Sequence, residues 1–541
     1  MEKFTSKKTI MTKALKADGE KVSGIMLYYD EATDTKYFYT GEGHICILGV
    51  PGSGKSSTMS INYAKTIIEK EESGIFVDSK TEIYENTISS ARKSHEVYVL
   101  NFREPEHSNS FNPLLEAYKL WKKGGSSRDK ANRKLYEIAS VLFPFSKGED
   151  PFWSESARDV FVGLSLSLFE FAFDPRQINF RSIFEIFSKG EQKCGYTKAL
   201  NELLNILPED SYARILLNGY VNSPNDTHMS THSVFSAGLK HLISSELVTK
   251  LFSGDDISLD KISGDKPIAI YILLPDESDV YGKLTAIIID LLTTHFISLA
   301  EEKFHGVLPI KTHILIEELG NIGAIPNLTM LLGSSRSRNM KICTVLQSYA
   351  QLDAVYGDAA HAIKDCFDVI VAYRISALDT LKELSEKCGT KSKMYKNTLI
   401  YEPLITPSSL GALQTRQCLI MVEGKYKFIA FLPFYSDLYD EDTNKNITFP
   451  SLNYHYKIFP FMDIINTARE AKQEKIMQDI SHPTGLLGNT PTKPMGQFDV
   501  DQLVARIDKK IAELEELERQ EEEKSRNNIS FDGDFDDDDW I

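Results

Sequence analysis

Eight consecutive residues, Gly49-Val50-Pro51-Gly52-Ser53-Gly54-Lys55-Ser56, follow the order GxxxxGK[ST]. That order suits phosphate chemistry. Glycines let backbone N–H groups close around a β-phosphate, the lysine sets a cation beside the β- and γ-phosphates, and the hydroxyl ligates Mg2+. The nucleotide-binding set is therefore Gly49, Pro51, Gly52, Ser53, Gly54, Lys55, Ser56 and Ser57, with ATP and Mg2+ as the expected cofactors. Such a loop works only between a strand and a helix. Ile45–Leu48 is apolar and strand-like, Ser56–Lys70 has helical periodicity, and Gly74–Asp78 returns as a short strand. This is the opening of a βαβ unit.

A nucleotide loop needs acids on a second buried strand. Thr312-His-Ile-Leu-Ile-Glu317-Glu318 is an apolar run ending in two carboxylates. Glu317 is assigned to the Mg2+ shell with Ser56, and Glu318 to orienting and deprotonating the attacking water. The metal position usually carries Asp, and Glu317 is one methylene longer, which bears on the hydrolysis rate. Further on, Lys341–Gln347 reads as a strand ending in an amide, so Gln347 is the candidate γ-phosphate sensor. Arg336 and Arg338 precede that strand, and Arg336 is the candidate arginine finger for a neighbouring subunit's nucleotide. Arg374, at another strand end, is a weaker candidate. The catalytic set is Glu318, Arg336 and Gln347.

Strands are read at 26–48, at Ile268–Leu274, His313–Ile316, Lys341–Leu346 and Val369–Tyr373, and again within 395–436. Between them, 116–253 carries long helical patterns, including Arg128–Phe143, Trp153–Phe173 and Ser230–Phe252. The fold class is α/β with an inserted all-α domain. Of 541 residues, 42% are apolar and 26% charged, ordinary for a globular chain with a large core. No run of 18 apolar residues and no apolar leader is present, which argues against a transmembrane protein. Six scattered cysteines, without a CxxC pair, read as free thiols of a reducing compartment. The net charge is −16, and residues 499–541 hold 16 acids against 6 bases, so the rest of the chain carries only −6. Global acidity therefore does not exclude nucleic-acid binding.

With these residues in hand, the sequence resembles the TraG/TraD-type coupling ATPases of conjugative type IV secretion systems over most of residues 40–435. The segment from Ile75 to Leu114 is similar to the family's D-P-K-G-E-L-Y strand end, V-x-V-x-N and S-N-S-[FW]-N-P-L. Asp78, Lys80, Glu82, Tyr84, Asn101, Ser110, Asn112, Pro113 and Leu114 match, while Ser79 and Thr81 stand where the family has Pro and Gly. Asp150-Pro-Phe-Trp153, Glu318-x-x-Asn321-x-Gly323, Gln351-Leu352 and Tyr356-Gly357 extend the match.

The resemblance implies a RecA-like P-loop NTPase domain at 40–118 and 254–445 and an all-α insert at 119–253. The remainder divides into an N-terminal segment (1–39), a connecting segment and linker (446–498), and an amphipathic helix with a disordered acidic tail (499–541). It implies a hexameric homo-oligomer acting on DNA, taken as single-stranded, that arrives with a relaxase or relaxosome. About 40 residues precede the P-loop, so a cytoplasmic, peripheral protein is expected, held at the inner face of the cell membrane by a separate anchor protein of the secretion channel. Lys382 and Lys387 are candidate DNA contacts. The tip FDGDFDDDDWI resembles the acidic, apolar-ended tail of single-strand DNA-binding proteins, and a partner for it is expected. Two other readings stand beside the motor: an ATP-binding adaptor that recruits substrate with little hydrolysis, and an FtsK/HerA-like DNA translocase.

Overall fold

The computed structural model describes residues 4–16, 21–145, 150–275, 279–395, 398–422, 426–439 and 447–481. The helix Phe461–Ser481 runs into the start of the expected linker; residues 482–498, the expected helix at 499–526 and the acidic tail lie outside the described residues. Met1–Ala468 forms one compact unit and Arg469–Ile541 a second.

The first unit is built on a nine-stranded sheet: β1 (Ile45–Leu48), β2 (Ser73–Asp78), β3 (Glu96–Asn101), β4 (Ile268–Leu273), β5 (Thr312–Ile316), β6 (Met340–Leu346), β7 (Val369–Ala372), β8 (Gln417–Val422) and β9 (Tyr426–Phe431). Its order is β9-β8-β7-β1-β6-β5-β2-β4-β3. β1 to β7 run parallel, and β8 and β9 add an antiparallel edge. Strands β1, β2, β4, β5, β6 and β7 are buried along their whole length, as expected of parallel strands covered on both faces. This is why they read as unbroken apolar runs. Cys46, Cys343 and Cys418 are buried free thiols on β1, β6 and β8.

Two strands expected ahead of β1 do not join this sheet. Ile25–Asp30 and Thr35–Tyr39 pair antiparallel and, with Leu15–Lys16, form a separate three-stranded sheet. The residues entering it are tied to the helix Ile61–Glu69 by bonds between Gly24 and Thr66, and to the chain just beyond that helix by Ser23 Oγ donating to Glu72 at 2.6 Å.

Helices from Pro113 to Leu251 lie in sequence between β3 and β4. The single helix expected at Ser230–Phe252 is two, Asn225–Ile243 and Glu246–Leu251. Apolar periodicity continues across the break, but Ser245 caps the second helix by accepting from Val248 N. The S-N-S-F-N-P-L segment joins sheet to helices. Ser110 donates N–H and Oγ–H to Asp256 at 2.8 and 2.7 Å. Buried Asn112 caps the helix Pro113–Lys123 through Leu114 N and donates to the Ile178 and Ser253 carbonyls at 2.6 and 3.3 Å.

The helix Asp279–Lys303 links β4 to β5. Within Tyr281–Lys303 an 18-residue segment has a mean hydropathy of 1.5, long and apolar enough for a membrane, although no unbroken apolar run signalled it. Two-thirds of that segment is buried in the fold, the character of a core helix.

Candidate nucleotide site

The parallel strands deliver their C-terminal ends to one edge of the sheet, and loops at that edge carry the predicted site. β1 ends at Leu48 and the chain turns through Gly49–Lys55 into a five-residue π-helical turn, Ser56–Ser60, that continues as the helix Ile61–Glu69. A Cβ at Gly49 would stand 2.8 Å from both Ser53 Oγ and Tyr373 Cβ, so only glycine fits. Gly54 has φ +99°, a region closed to most side chains. Ser53 Oγ closes the loop on the Val50 carbonyl at 2.7 Å.

Lys55 is buried inside its own loop. Its ammonium donates to the Gly49 carbonyl and, at 3.2 Å, to that of Val50. Burial lowers its pKa, while Glu318 and Glu317 act in the opposite sense.

Glu317 closes β5 and is 2% exposed. Its Oε1 has no hydrogen-bond partner in the fold. Burial first, and the neighbouring Asp78 carboxylate second, push its pKa up to about 7, against the downward pull of the Ser56 and Ser60 hydroxyls. Asp78, at the end of neighbouring β2, is fully buried and raised to about 6 by burial. It accepts from Lys80 N at 3.1 Å and Tyr84 N at 2.9 Å. An orphaned carboxylate oxygen, a second buried acid and a facing hydroxyl form a hard oxygen donor set that suits Mg2+. The residues present therefore fit the cation, and Glu317 and Ser56 are the side chains that would hold it.

Glu318 follows with φ +55° and ψ +48°, left-handed and strained for a non-glycine residue. The conformation turns its carboxylate toward β6, where Gln347 Nε2 donates to Glu318 Oε2 at 3.4 Å. Gln347 N donates to Gln351 Oε1 at 2.8 Å, and Gln351 in turn covers Gly320. Tyr356 OH accepts from Ile325 N at 3.2 Å. These contacts join the Glu318–Ile325 and Gln347–Tyr356 segments, each holding the other in place.

Lys55, Ser56, Glu317, Glu318 and Gln347 are thus brought together. β6 lies between β1 and β5, which places Gln347 between the phosphate loop and the acids. Arg336 is not with them. It precedes β6 at the opposite end of the sheet, so the length of β6, about 20 Å, separates it from its own loop. There its Nη1 contacts Asp368 at 3.0 and 3.3 Å. Arg338 is tied to Glu301 and the Ser334 carbonyl. Arg374 is exposed beside the loop, its carbonyl accepting from Val50 N at 2.9 Å. Lys382 and Lys387 lie within 4 Å of Asp379 and Glu383, respectively.

Sequence reasoning missed three contributors. Thr58 bonds the Gly54 carbonyl at 2.7 Å and the buried Tyr373 hydroxyl at 2.6 Å. Ser60 faces Glu317. Arg416, at φ +73°, gives its N–H to the Ser53 carbonyl at 3.4 Å, bringing the start of β8 over the loop. Its guanidinium lies over Phe431 and Phe434 and pairs with Asp437 at 3.1 Å. Nothing in residue spacing foretells such contacts across hundreds of positions. Among the described residues there is no cluster of three metal-ligating side chains of the His, Cys, Asp and Glu types.

The family described as type IV secretory system conjugative DNA transfer matches residues 3–425. Coupling protein TraD of Escherichia coli (strain K12) is 21% identical over 340 residues, which is 60% of this chain and 40% of TraD. The chain thus spans well under two-thirds of that relative's length. The fold is similar to that of the bacterial conjugative coupling protein TrwB in its unbound form, with a TM-score of 0.59, 17% identity, and coverage of 80% of this chain and 92% of TrwB. TrwB in complex with ADP and Mg2+ gives the same values.

Proposed function

Because the chain belongs to the conjugative DNA-transfer family of type IV secretory systems, we propose that it is the ATP-driven coupling protein of such a system, bringing relaxase-bound DNA to a membrane channel and powering its transfer. The observation that carries the reading is the meeting of Lys55, Glu317, Glu318 and Gln347 at one sheet edge, in a chain whose family motifs hold that edge together.

Lys55 exchanges its loop carbonyls for the β- and γ-phosphates. Ser56 and Glu317 would hold Mg2+, which when bound would neutralise phosphate charge. Glu318 orients the attacking water and takes its proton, while Gln347 fixes the carboxylate and reports the γ-phosphate. Arg336 serves the nucleotide of a neighbouring copy, since it lies too far from its own. Head-to-tail contacts between identical copies close into rings, and a hexamer is the state proposed. The RecA-like part comprises 40–118 and 254–445, with the insert at 119–253 meeting the substrate. TrwB has been captured with ADP and Mg2+, which supports assigning both to this site. Peripheral attachment at the inner membrane face through an anchor partner belongs to the same proposal.

The test is ATP hydrolysis with and without single- and double-stranded DNA, using Lys55→Ala and Glu318→Gln as controls. DNA-stimulated turnover lost in both variants supports the motor. A second reading, an adaptor that binds ATP and recruits substrate with little turnover, is favoured by one observation: Glu317 is longer than the usual Asp and is raised to about 7 by burial. Nucleotide binding without turnover under every DNA condition selects it.

A further inference from the structure

The strands Thr390–Tyr395 and Thr398–Pro403 pair only with each other. They leave the fold between Gly389, with φ +78°, and Leu404, whose N–H returns to the Gly389 carbonyl at 2.8 Å. Their register sets Ser392 opposite Tyr401 and Met394 opposite Leu399 on one face. Lys391 opposite Glu402 and Lys393 opposite Ile400 occupy the other. Met394 and Tyr401 are 65% and 67% exposed, and Leu399 and Ile400 are exposed too. A two-stranded hairpin is marginal alone, and both of its strands are sheet edges. An apolar cluster on such an element marks a surface that something covers.

Its position says what covers it. The helix Leu378–Cys388 carries the chain from the end of β7 back toward the opposite edge of the sheet, and the hairpin begins there. Lys387, one turn before the hairpin, lines a cleft of about 350 Å³ with Lys364, Asp368 and Val422. Asp368 is the partner of Arg336. The hairpin therefore leaves the fold at the edge that carries the candidate finger. If Arg336 serves a neighbour's nucleotide, that edge faces a second copy of the chain.

We propose that the paired strands Thr390–Tyr395 and Thr398–Pro403 clasp the adjacent copy in the assembly, their Met394, Leu399 and Tyr401 face packing on that neighbour. The inference rests on the ring reading above. The patch chemistry favours a protein surface over a phosphate backbone: the Met394, Leu399 and Tyr401 face is apolar, and on the other exposed face Lys391 stands opposite Glu402 and Lys393 opposite Ile400.

The experiment is sedimentation velocity on the full chain with Mg2+ and a non-hydrolysable ATP analogue. It compares wild type, Met394→Ser/Leu399→Ser/Tyr401→Ser, the single Tyr401→Ala, and Lys391→Glu/Lys393→Glu. Nucleotide affinity of each serves as the folding control. The triple variant is expected to weaken self-association by about tenfold or more, Tyr401→Ala by less, with nucleotide affinity unchanged and the charge variant assembling as wild type. Variants that assemble like wild type overturn the clasp alone. Assembly unchanged in the triple variant, with oligothymidine affinity lost in the charge variant, makes the hairpin a nucleic-acid contact and overturns the proposal. A wild-type chain that never self-associates overturns both the clasp and the ring.

Discussion

Gln347 Nε2 and Glu318 Oε2 stand 3.4 Å apart across the ends of two neighbouring parallel strands, with the amide donating to the carboxylate. On the proposed mechanism the pair couples the group that takes a proton from water to the group that reads the γ-phosphate. Removing either side chain therefore has separable consequences.

Glu318→Gln is expected to lower turnover by about 10²–10⁴ while leaving nucleotide affinity near wild type, because general-base catalysis contributes on that scale and the phosphate contacts remain. Gln347→Ala is expected to lower kcat by about tenfold through a less well-oriented Glu318. Phosphate release and fluorescent-nucleotide titration, run side by side, separate the two effects.

The distance between Arg336 and its own loop leads to a complementation result. Arg336→Ala and Glu318→Gln are each expected to be inactive alone. Mixed, they form interfaces in which one copy supplies Glu318 and the next supplies Arg336. Recovery of turnover on mixing, scaling with the fraction of mixed interfaces, is the expected readout; no recovery at any ratio refutes action across subunits.

Thr81 stands where the family pattern has glycine, and the structure supplies the reason for that glycine. Its φ is +62°, a left-handed position that costs a β-branched residue on the order of 1–3 kcal/mol. The hydroxyl partly offsets this by bonding Glu85 at 3.0 Å. Thr81→Gly is expected to raise stability by about 1 kcal/mol after the glycine's greater unfolded-state entropy is counted. Denaturant unfolding of both proteins measures it.

Asp290 supplies the pH dependence. It is buried on the core helix Asp279–Lys303, and burial, with Glu137 adding like charge, raises its pKa from 3.8 to about 8. A carboxyl raised on folding favours the native state while it keeps its proton. Its contribution is full below pH of about 4 and is lost as pH rises through about 8. Asp290→Asn removes the titration, so the melting temperature of the variant relative to wild type is expected to climb steadily from pH 5 to pH 8. A constant difference across that range contradicts the assignment.

Local chemistry was legible in the sequence; spatial order was not. Gly49–Ser56 announced itself because glycine, lysine and serine are needed at fixed offsets within one turn. Glu317 and Glu318 were legible because a buried strand must end where carboxylates can reach a phosphate. The insertion of β6 between β1 and β5, which makes Gln347 a neighbour of both, depends on β6 pairing with β1, hundreds of residues away, and no local pattern encodes it. The strands at 25–30 and 35–39 looked continuous with β1 because alternation and aromatic content are the same in either sheet. The break at Ser244–Ser245 was hidden because apolar spacing survived a change of helix. Arg416 was invisible for a further reason: its part in the site is played by a backbone N–H, which every residue but proline possesses.

The two carbonyls that hold Lys55 belong to Gly49 and Val50, the first residues of the very loop that receives phosphate. Nucleotide entry is then a change of partners for one ammonium group. On the proposed mechanism, the share of ATP affinity that Lys55 supplies is the difference between phosphate and peptide oxygen as hosts for that charge. The same carbonyls stand ready to recapture the lysine as the cleaved phosphate departs. On the proposed mechanism the loop thus carries its own competitor for the phosphate of the product.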